Sequence, residues 1–211
     1  IAGSEALALK NCGIYGAGKS YPLFMCKELY PSSAYHLITS GSSKSLYNID
    51  GGLKNKVLIL TEALSLQADN SRSDNELAYS IRSLVSEGNL IYQYTGFDED
   101  GRKVTRITKL DGPTALLTTT IHGRLEPQLE DRLISVSPDI TTKQTQDILE
   151  KTANIANGHT DGVDDNTIKS WRIFHDDLES KEVLIPFAQN IVEFVNRIDS
   201  LPVSARRGFK R

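Results

Sequence analysis

The sequence predicts an α/β fold, a parallel sheet whose strands are joined by crossover helices. Three observations predict it. The short apolar run Ala6 to Lys10 is followed at once by glycines and then by a helical pattern. Val57-Leu58-Ile59-Leu60 is a continuous apolar run of the buried-strand kind, bounded by polar Lys54-Asn55-Lys56 and by Thr61-Glu62. Strand and helix patterns alternate through the first half, the order that parallel neighbours need because only a long crossover can join them.

The elements then follow in order. A helix over 19–29 carries Pro22 in its first turn, where a missing N–H costs little. Ala34 to Thr39 reads as a second strand. Ser73-Asp74-Asn75-Glu76 has capping-box spacing, Leu77, Ile81, Leu84 and Val85 recur on one helical face, and Gly88 ends that helix. Leu90 to Tyr94, the turn around Asp100-Gly101 and the alternating Val104 to Leu110 predict a β-hairpin over 90–110. Thr114 to Thr120 is a further buried strand and Leu133 to Val136 a last short one. From Thr141 the character changes. Residues 142–157 and 187–198 read as helices, with a looser acidic stretch, Asp161 to Asp177, between them. Pro202 and Ser204 open a helical pattern carrying Arg206, Arg207, Lys210 and Arg211. The organisation is thus an α/β core over 1–140, hairpin included, and a helical region over 141–211 whose pattern reads as cut short. Ile1-Ala2-Gly3-Ser4 likewise reads as the interior of a longer chain.

Composition narrows the classes. With 211 residues, 39 % of them hydrophobic, and a formal charge of −3, the chain can bury one core and is not of disordered composition. Its apolar runs are far too short to span a bilayer. Cys12 and Cys26 make no disulfide scaffold, and their predicted apolar surroundings suit the reducing cytoplasm. The histidines and cysteines have no zinc-ligand spacing. The acidic balance excludes wholesale coating of nucleic acid and leaves room for a local basic patch.

Gly13-Ile14-Tyr15-Gly16-Ala17-Gly18-Lys19-Ser20 fits G-x-x-x-x-G-K-S at every fixed position, with a strand before it and a helix after it. Glycines let the backbone wrap so that its N–H groups face phosphate oxygens, and the helix directs its positive end at them. Lys19 would reach the β- and γ-phosphates, and the Ser20 hydroxyl would hold Mg²⁺. The phosphate-binding set is Gly13, Tyr15, Gly16, Ala17, Gly18, Lys19, Ser20 and Tyr21. Such a loop needs an acidic residue at the end of a neighbouring strand. Glu62 is the expected base that orients the attacking water, the alternative being an ordinary helix-start acid. Thr61 stands where an aspartate usually supports the metal. A hydroxyl there can bond a metal-bound water, though without negative charge.

With these residues in order, the chain resembles the AAA+ ATPases, in the helicase-like branch of phage and mobile-element primase–helicase proteins related to superfamily-three and minichromosome-maintenance helicases. The resemblance covers nearly the whole chain. It rests on the loop, the Leu58-to-Glu62 strand, Ser86-Glu87-Gly88, the segment Asp111 to Thr120, Glu130-Asp131-Arg132-Leu133 and Arg206-Arg207-Gly208-Phe209. It implies a P-loop three-layer α/β/α sandwich with an inserted β-hairpin and a C-terminal helical lid, binding ATP and Mg²⁺. In such proteins a polar residue ends the strand between the two phosphate-site strands and positions water. Thr119 or Thr120 holds that place, where the relatives more often use asparagine. About a dozen residues on, Arg132 takes the place of the arginine that reaches into the next subunit's nucleotide. Its alternative is a surface ion pair with Glu130 or Asp131. Arg206 and Arg207 resemble the second sensor on the lid. The hairpin resembles the insertion that grips DNA in the pore, with Arg102, Lys103, Arg106 and Lys109 as its phosphate contacts. Against that role stand Asp98, Glu99 and Asp100 at its tip.

Three functions are therefore expected in order: a ring motor, hexameric by resemblance, that hydrolyses ATP while translocating on or unwinding DNA; a small-molecule P-loop kinase; and a nucleotide-binding assembly module that hydrolyses weakly. For the first, the resemblance implies DNA, other copies of the chain, and a primase or collar domain beyond Ile1 as partners.

Overall fold

The computed structural model describes residues 6–39, 43–63, 72–121, 125–159, 162–179, 184–198 and 200, with backbone alone for 43–45 and 72–75. Among these residues the strands are β1 (Ala8–Cys12), β2 (Tyr35–Ile38), β3 (Lys56–Leu60), β4 (Asn89–Phe97), β5 (Lys103–Asp111), β6 (Thr114–Thr120) and β7 (Ile134–Val136). The helices are α1 (Ser20–Leu29), α2 (Arg72–Ser86), α3 (Pro127–Glu130), α4 (Thr142–Ala156), α5 (Asp165–Asp176) and α6 (Ala188–Val195).

A five-stranded sheet runs in the order β2-β3-β6-β1-β7, and every pairing in it is parallel. β6 enters between β1 and β3. These inner strands are covered on both faces, which is why Val57 to Leu60 reads as an unbroken apolar run rather than an alternating one. In register, Leu58 lies beside Leu116 and Leu116 beside Ala8. On that face Leu77, Ile81, Leu84 and Val85 of α2 close the core, together with Leu125 and Leu129. A fully buried leucine contributes about 1.5–3 kcal/mol, so this cluster is what holds α2 to the sheet. Ile59, also fully buried, points by alternation to the opposite face, and α1 with its buried Leu23 covers that side.

β4 and β5 form a separate antiparallel ribbon, with Leu90 paired to Leu110 at its buried base and Phe97 to Lys103 near its tip. Strands of nine residues make it about 30 Å long. The tip is tied by Asp98, whose Oδ1 accepts from the amides of Asp100 (3.1 Å) and Arg102 (2.7 Å). One tip carboxylate is therefore a turn former.

Three expectations need correction. β1 covers Ala8–Cys12 rather than 6–10: polar Asn11 looks like a residue past the end of an apolar run, yet it is buried and bonded inside the strand, next to buried Lys10. The acidic stretch Asp161 to Asp177 is not loose, since α5 occupies most of it. Asp164 caps that helix through the amides of Asn166 and Thr167. The Thr167 hydroxyl, then those amides, hold the Asp164 carboxyl below its ordinary pKa. Cys26 is exposed on α1, not in apolar surroundings, while Cys12 is half-buried. Among the described residues no helix is long and apolar enough to cross a membrane.

Candidate functional site

β1 ends at Cys12, and the next residues leave the sheet as a loop. Its first amide, Gly13 N, donates to the Thr120 carbonyl (3.2 Å), which seats the loop on the end of β6. Gly16 and Gly18 have φ of 76° and 75°, left-handed values that a side chain strongly disfavours. Lys19 folds back and donates from Nζ to the Ile14 carbonyl (2.6 Å), closing the loop over itself. From below, Asn11 Nδ2 donates to the Lys19 carbonyl (2.8 Å), fixing the start of α1 to β1. Asn11 is 7 % exposed, and its Oδ1 has no hydrogen-bond partner. No side chain caps α1; in its first turn the Tyr21 amide donates to the Gly18 carbonyl (3.1 Å) and Pro22 carries no N–H. Ser20 is exposed beside them, with Tyr15 and Tyr21 exposed on either side. This is a backbone cradle suited to an anion.

The acidic turn lies along the same edge. The register places Cys12 beside Thr120 and Leu60 beside Thr118, so β1, β6 and β3 present their carboxyl ends together. Glu62 is exposed there and Thr61 half-buried. Thr119 ties the turn down: its Oγ1 donates to the Thr61 carbonyl, and its own carbonyl accepts from Ala63 N (2.8 Å). Thr119 and Thr120 are both buried. The sequence-chosen Gly13–Ser20, Tyr21, Thr61, Glu62, Thr119 and Thr120 are thus brought to one end of the sheet. Among the described residues no cluster of three or more His, Cys, Asp or Glu could hold a metal. A Mg²⁺ would rest on the Ser20 hydroxyl, Glu62, water and the phosphates themselves, which suits an ion that keeps much of its water.

Arg132 sits at the other end. It precedes β7, whose Ile134 pairs with Leu9 near the start of β1. Its Nε donates to Ser86 Oγ and its Nη1 to the Gln128 carbonyl. Glu130, one alternative ion-pair partner, bonds Lys10 instead, at 2.5 Å. Arg132 therefore lies across the sheet from its own loop. Arg206 and Arg207 lie outside the described residues.

A cleft of about 380 Å³ opens between the loop and α4, walled by Ile14, Tyr15, Ile140, Ile148 and Leu149, with Gln144 at its side. Sequence reading missed the α4 wall. Its one signal was the i, i+4 spacing of Gln144 and Ile148 on one helical face. A second cleft of about 510 Å³ lies along α5 by Trp171 and Phe174, and among the described residues none of the glycine loop or the strand ends lines it.

The ribbon has two unlike faces. Tyr92 stacks on Tyr47 (4.0 Å between centroids), and Tyr94 stacks on Tyr92 (5.8 Å), so these rings are used in packing. The Tyr47 hydroxyl reaches Ser80 Oγ (2.7 Å), which itself donates to the Glu76 carbonyl, so Tyr47 is the donor. Burial pushes its pKa up. Arg106 shares that face. It lies across Gly96, where a Cβ would come within 2.8 Å of its Cδ, and donates to the Phe97 carbonyl (2.7 Å). On the other face Ile91, Phe97 and Ile107 are exposed beside Lys103 and Lys109, which pair in register with Phe97 and Ile91. Arg102 is exposed at the tip, 3.9 Å from Asp100. The predicted cations share one ribbon but not one face.

No protein-family model matches this chain, and no curated protein matches it in sequence.

Proposed function

We propose that the chain is a P-loop motor domain of AAA+ type that hydrolyses ATP and couples hydrolysis to movement on DNA, working as a ring of copies in the cytoplasm. The observation that carries this reading is the cradle at Gly13–Ser20, with left-handed Gly16 and Gly18, an uncapped α1 and Glu62 on the same edge of the sheet. The loop amides and Lys19 bind the phosphates, Lys19 leaving the Ile14 carbonyl to do so. The base fits the cleft walled by Ile140 and Ile148. Mg²⁺, when bound with the nucleotide, would withdraw charge from the phosphate oxygens. Glu62 orients the water that attacks the terminal phosphorus and accepts its proton as the bond to the β-phosphate oxygen breaks. Arg132, placed away from its own loop, serves the loop of another copy, a role worth about 10³–10⁵ in rate where such arginines have been measured. DNA meets the ribbon face of Phe97, Lys103 and Lys109, where phosphates pair with ammonium groups and unstacked bases lie on apolar side chains. Exposed thiol Cys26 suits a reducing compartment. A primase or collar domain elsewhere in a longer chain would help hold the ring.

One observation favours a second reading, an assembly module that binds nucleotide and hydrolyses it weakly: the metal-supporting position carries Thr61, which has no charge.

ATP turnover measured with and without single-stranded DNA separates these readings. The motor reading expects turnover that DNA stimulates, that Lys19→Ala and Glu62→Gln each reduce at least about a hundredfold, and that needs Arg132. Lys103→Ala/Lys109→Ala should weaken DNA binding more than Arg106→Ala does. Tight binding without turnover favours the assembly module. Phosphate transfer to a small acceptor, indifferent to DNA, would establish a kinase and overturn both.

A further inference from the structure

Lys10 is a charged side chain inside the core: it is 1 % exposed, on the α2 face of β1, with Thr118 beside it in register. A lysine is almost never buried so completely without a paired charge. Its Nζ meets Glu130 Oε1 at 2.5 Å, and the second oxygen, Oε2, accepts from the Leu125 amide (3.0 Å). Glu130 is 26 % exposed, at the edge of the core, and both its carboxylate oxygens are used, so the buried ammonium meets a fixed counter-charge. The pair joins two places that matter in the reading above. Lys10 lies three residues before the loop's Gly13, and Glu130 lies two before Arg132.

We infer that the Lys10–Glu130 pair is a positioning strut that sets Arg132 against the strand carrying the phosphate loop, so that the arginine presented to another copy is aligned by the state of the strand behind it. The inference rests on the reading of Arg132 as acting between copies. Its direction follows from stiffness. β1 is hydrogen-bonded along both edges, to β6 and to β7. α3 is only four residues long. α3 keeps its Leu129 anchor in the core, so losing the pair shifts mainly the turn after α3, which carries Arg132, and leaves the loop in place. Lys10 and Glu130 touch no substrate in this scheme; they act through Arg132.

Mixed assemblies of the full chain test it. An Arg132→Ala protein keeps its own loop but donates no arginine, and a Glu62→Gln protein donates an arginine but turns nothing over. Mixed, they should regain ATP turnover. Adding Glu130→Gln to the arginine donor should lower that regained turnover at least tenfold. The same change in the Arg132→Ala partner should leave it within about twofold, with KM for ATP unmoved. Equal losses in both arms would mean that Glu130 only supports the fold, and would overturn the strut alone. No regained turnover in the parent mixture, with co-assembly verified by mass, would overturn the between-copy reading and the strut with it. If Glu130→Gln does not fold, Lys10→Met/Glu130→Leu runs the same two arms, since apolar replacement of a buried pair is commonly tolerated.

Discussion

Helices α2 and α4 show the same kind of apolar spacing, yet they end in opposite environments. Ile81, Leu84 and Val85 of α2 are each 1 % exposed against Leu58, Leu116 and Ala8 of the sheet. Neither α4, α5 nor α6 buries a single residue, and Ile148, Trp171, Phe174 and Phe194 stand open on them. Periodicity makes a helix amphipathic; it does not supply the surface that the apolar face will cover. The α/β part is held by burial. The helical part is held by end caps and a few polar and ring contacts. Thr141 caps α4 by accepting from Gln144 N, and Asp164 caps α5. Arg172 of α5 then grips the Glu28 carbonyl (2.8 Å) and carboxylate (3.0 Å) at the end of α1, where His175 stacks on Tyr30 at 4.3 Å. The helix that begins at the glycine loop thus ends against the helical region.

The contrast is broken most forcefully by truncating one apolar side chain on each side. Leu58→Ala should lower the unfolding free energy by about 2–5 kcal/mol, because it leaves a cavity in a packed core. Phe194→Ala should change it by no more than about 0.5 kcal/mol. Denaturant titration of both variants decides, and equal effects would mean that the helices share the core after all.

A smaller effect sharpens the local side. Asp164→Ala should raise amide exchange across 165–176 several-fold and leave the β1 and β6 amides as protected as before. The wild type should reproduce that loosening in acid. The Asp164 pKa is depressed in the fold, so its contribution is full above the ordinary carboxylate pKa and is lost as the pH falls through the depressed value. Equal loosening of the sheet would show that the cap supports more than its own helix.

The smallest effect concerns the core at high pH. Burial raises the Tyr47 pKa, so the fold favours the neutral phenol. Stability should be unaffected below the tyrosine value of about 10 and fall as the pH climbs from there through the raised value. Tyr47→Phe should flatten that fall, as read by thermal melting between neutral and alkaline pH. An unchanged alkaline slope would assign the loss to other groups.

What could be read in advance was whatever is encoded locally. The glycines and Lys19-Ser20, the run ending at Glu62, and the Asp100-Gly101 turn each carry their geometry within a few residues. The place of β6 between β1 and β3 has no periodic signature and was expected only by resemblance. Asn11 was unreadable as strand, and Lys10 as a buried residue, because their partners, the Lys19 carbonyl and Glu130, are supplied by the fold. The α5 cap was legible in Asp164 and Thr167, but a surrounding run of acids hid it. Nothing in the alternation of the ribbon could tell that Arg106 would lie down over Gly96 while Lys103 and Lys109 stay open on the other face.

The central claim is that the amides between Gly13 and Ser20 hold a nucleoside triphosphate. Calorimetric titration of the folded chain with ATP and magnesium tests it directly. Saturable one-to-one binding, abolished or weakened at least tenfold by Lys19→Ala in a protein of unchanged melting temperature, is the expected result. Absence of binding, or binding indifferent to Lys19→Ala, would contradict the account.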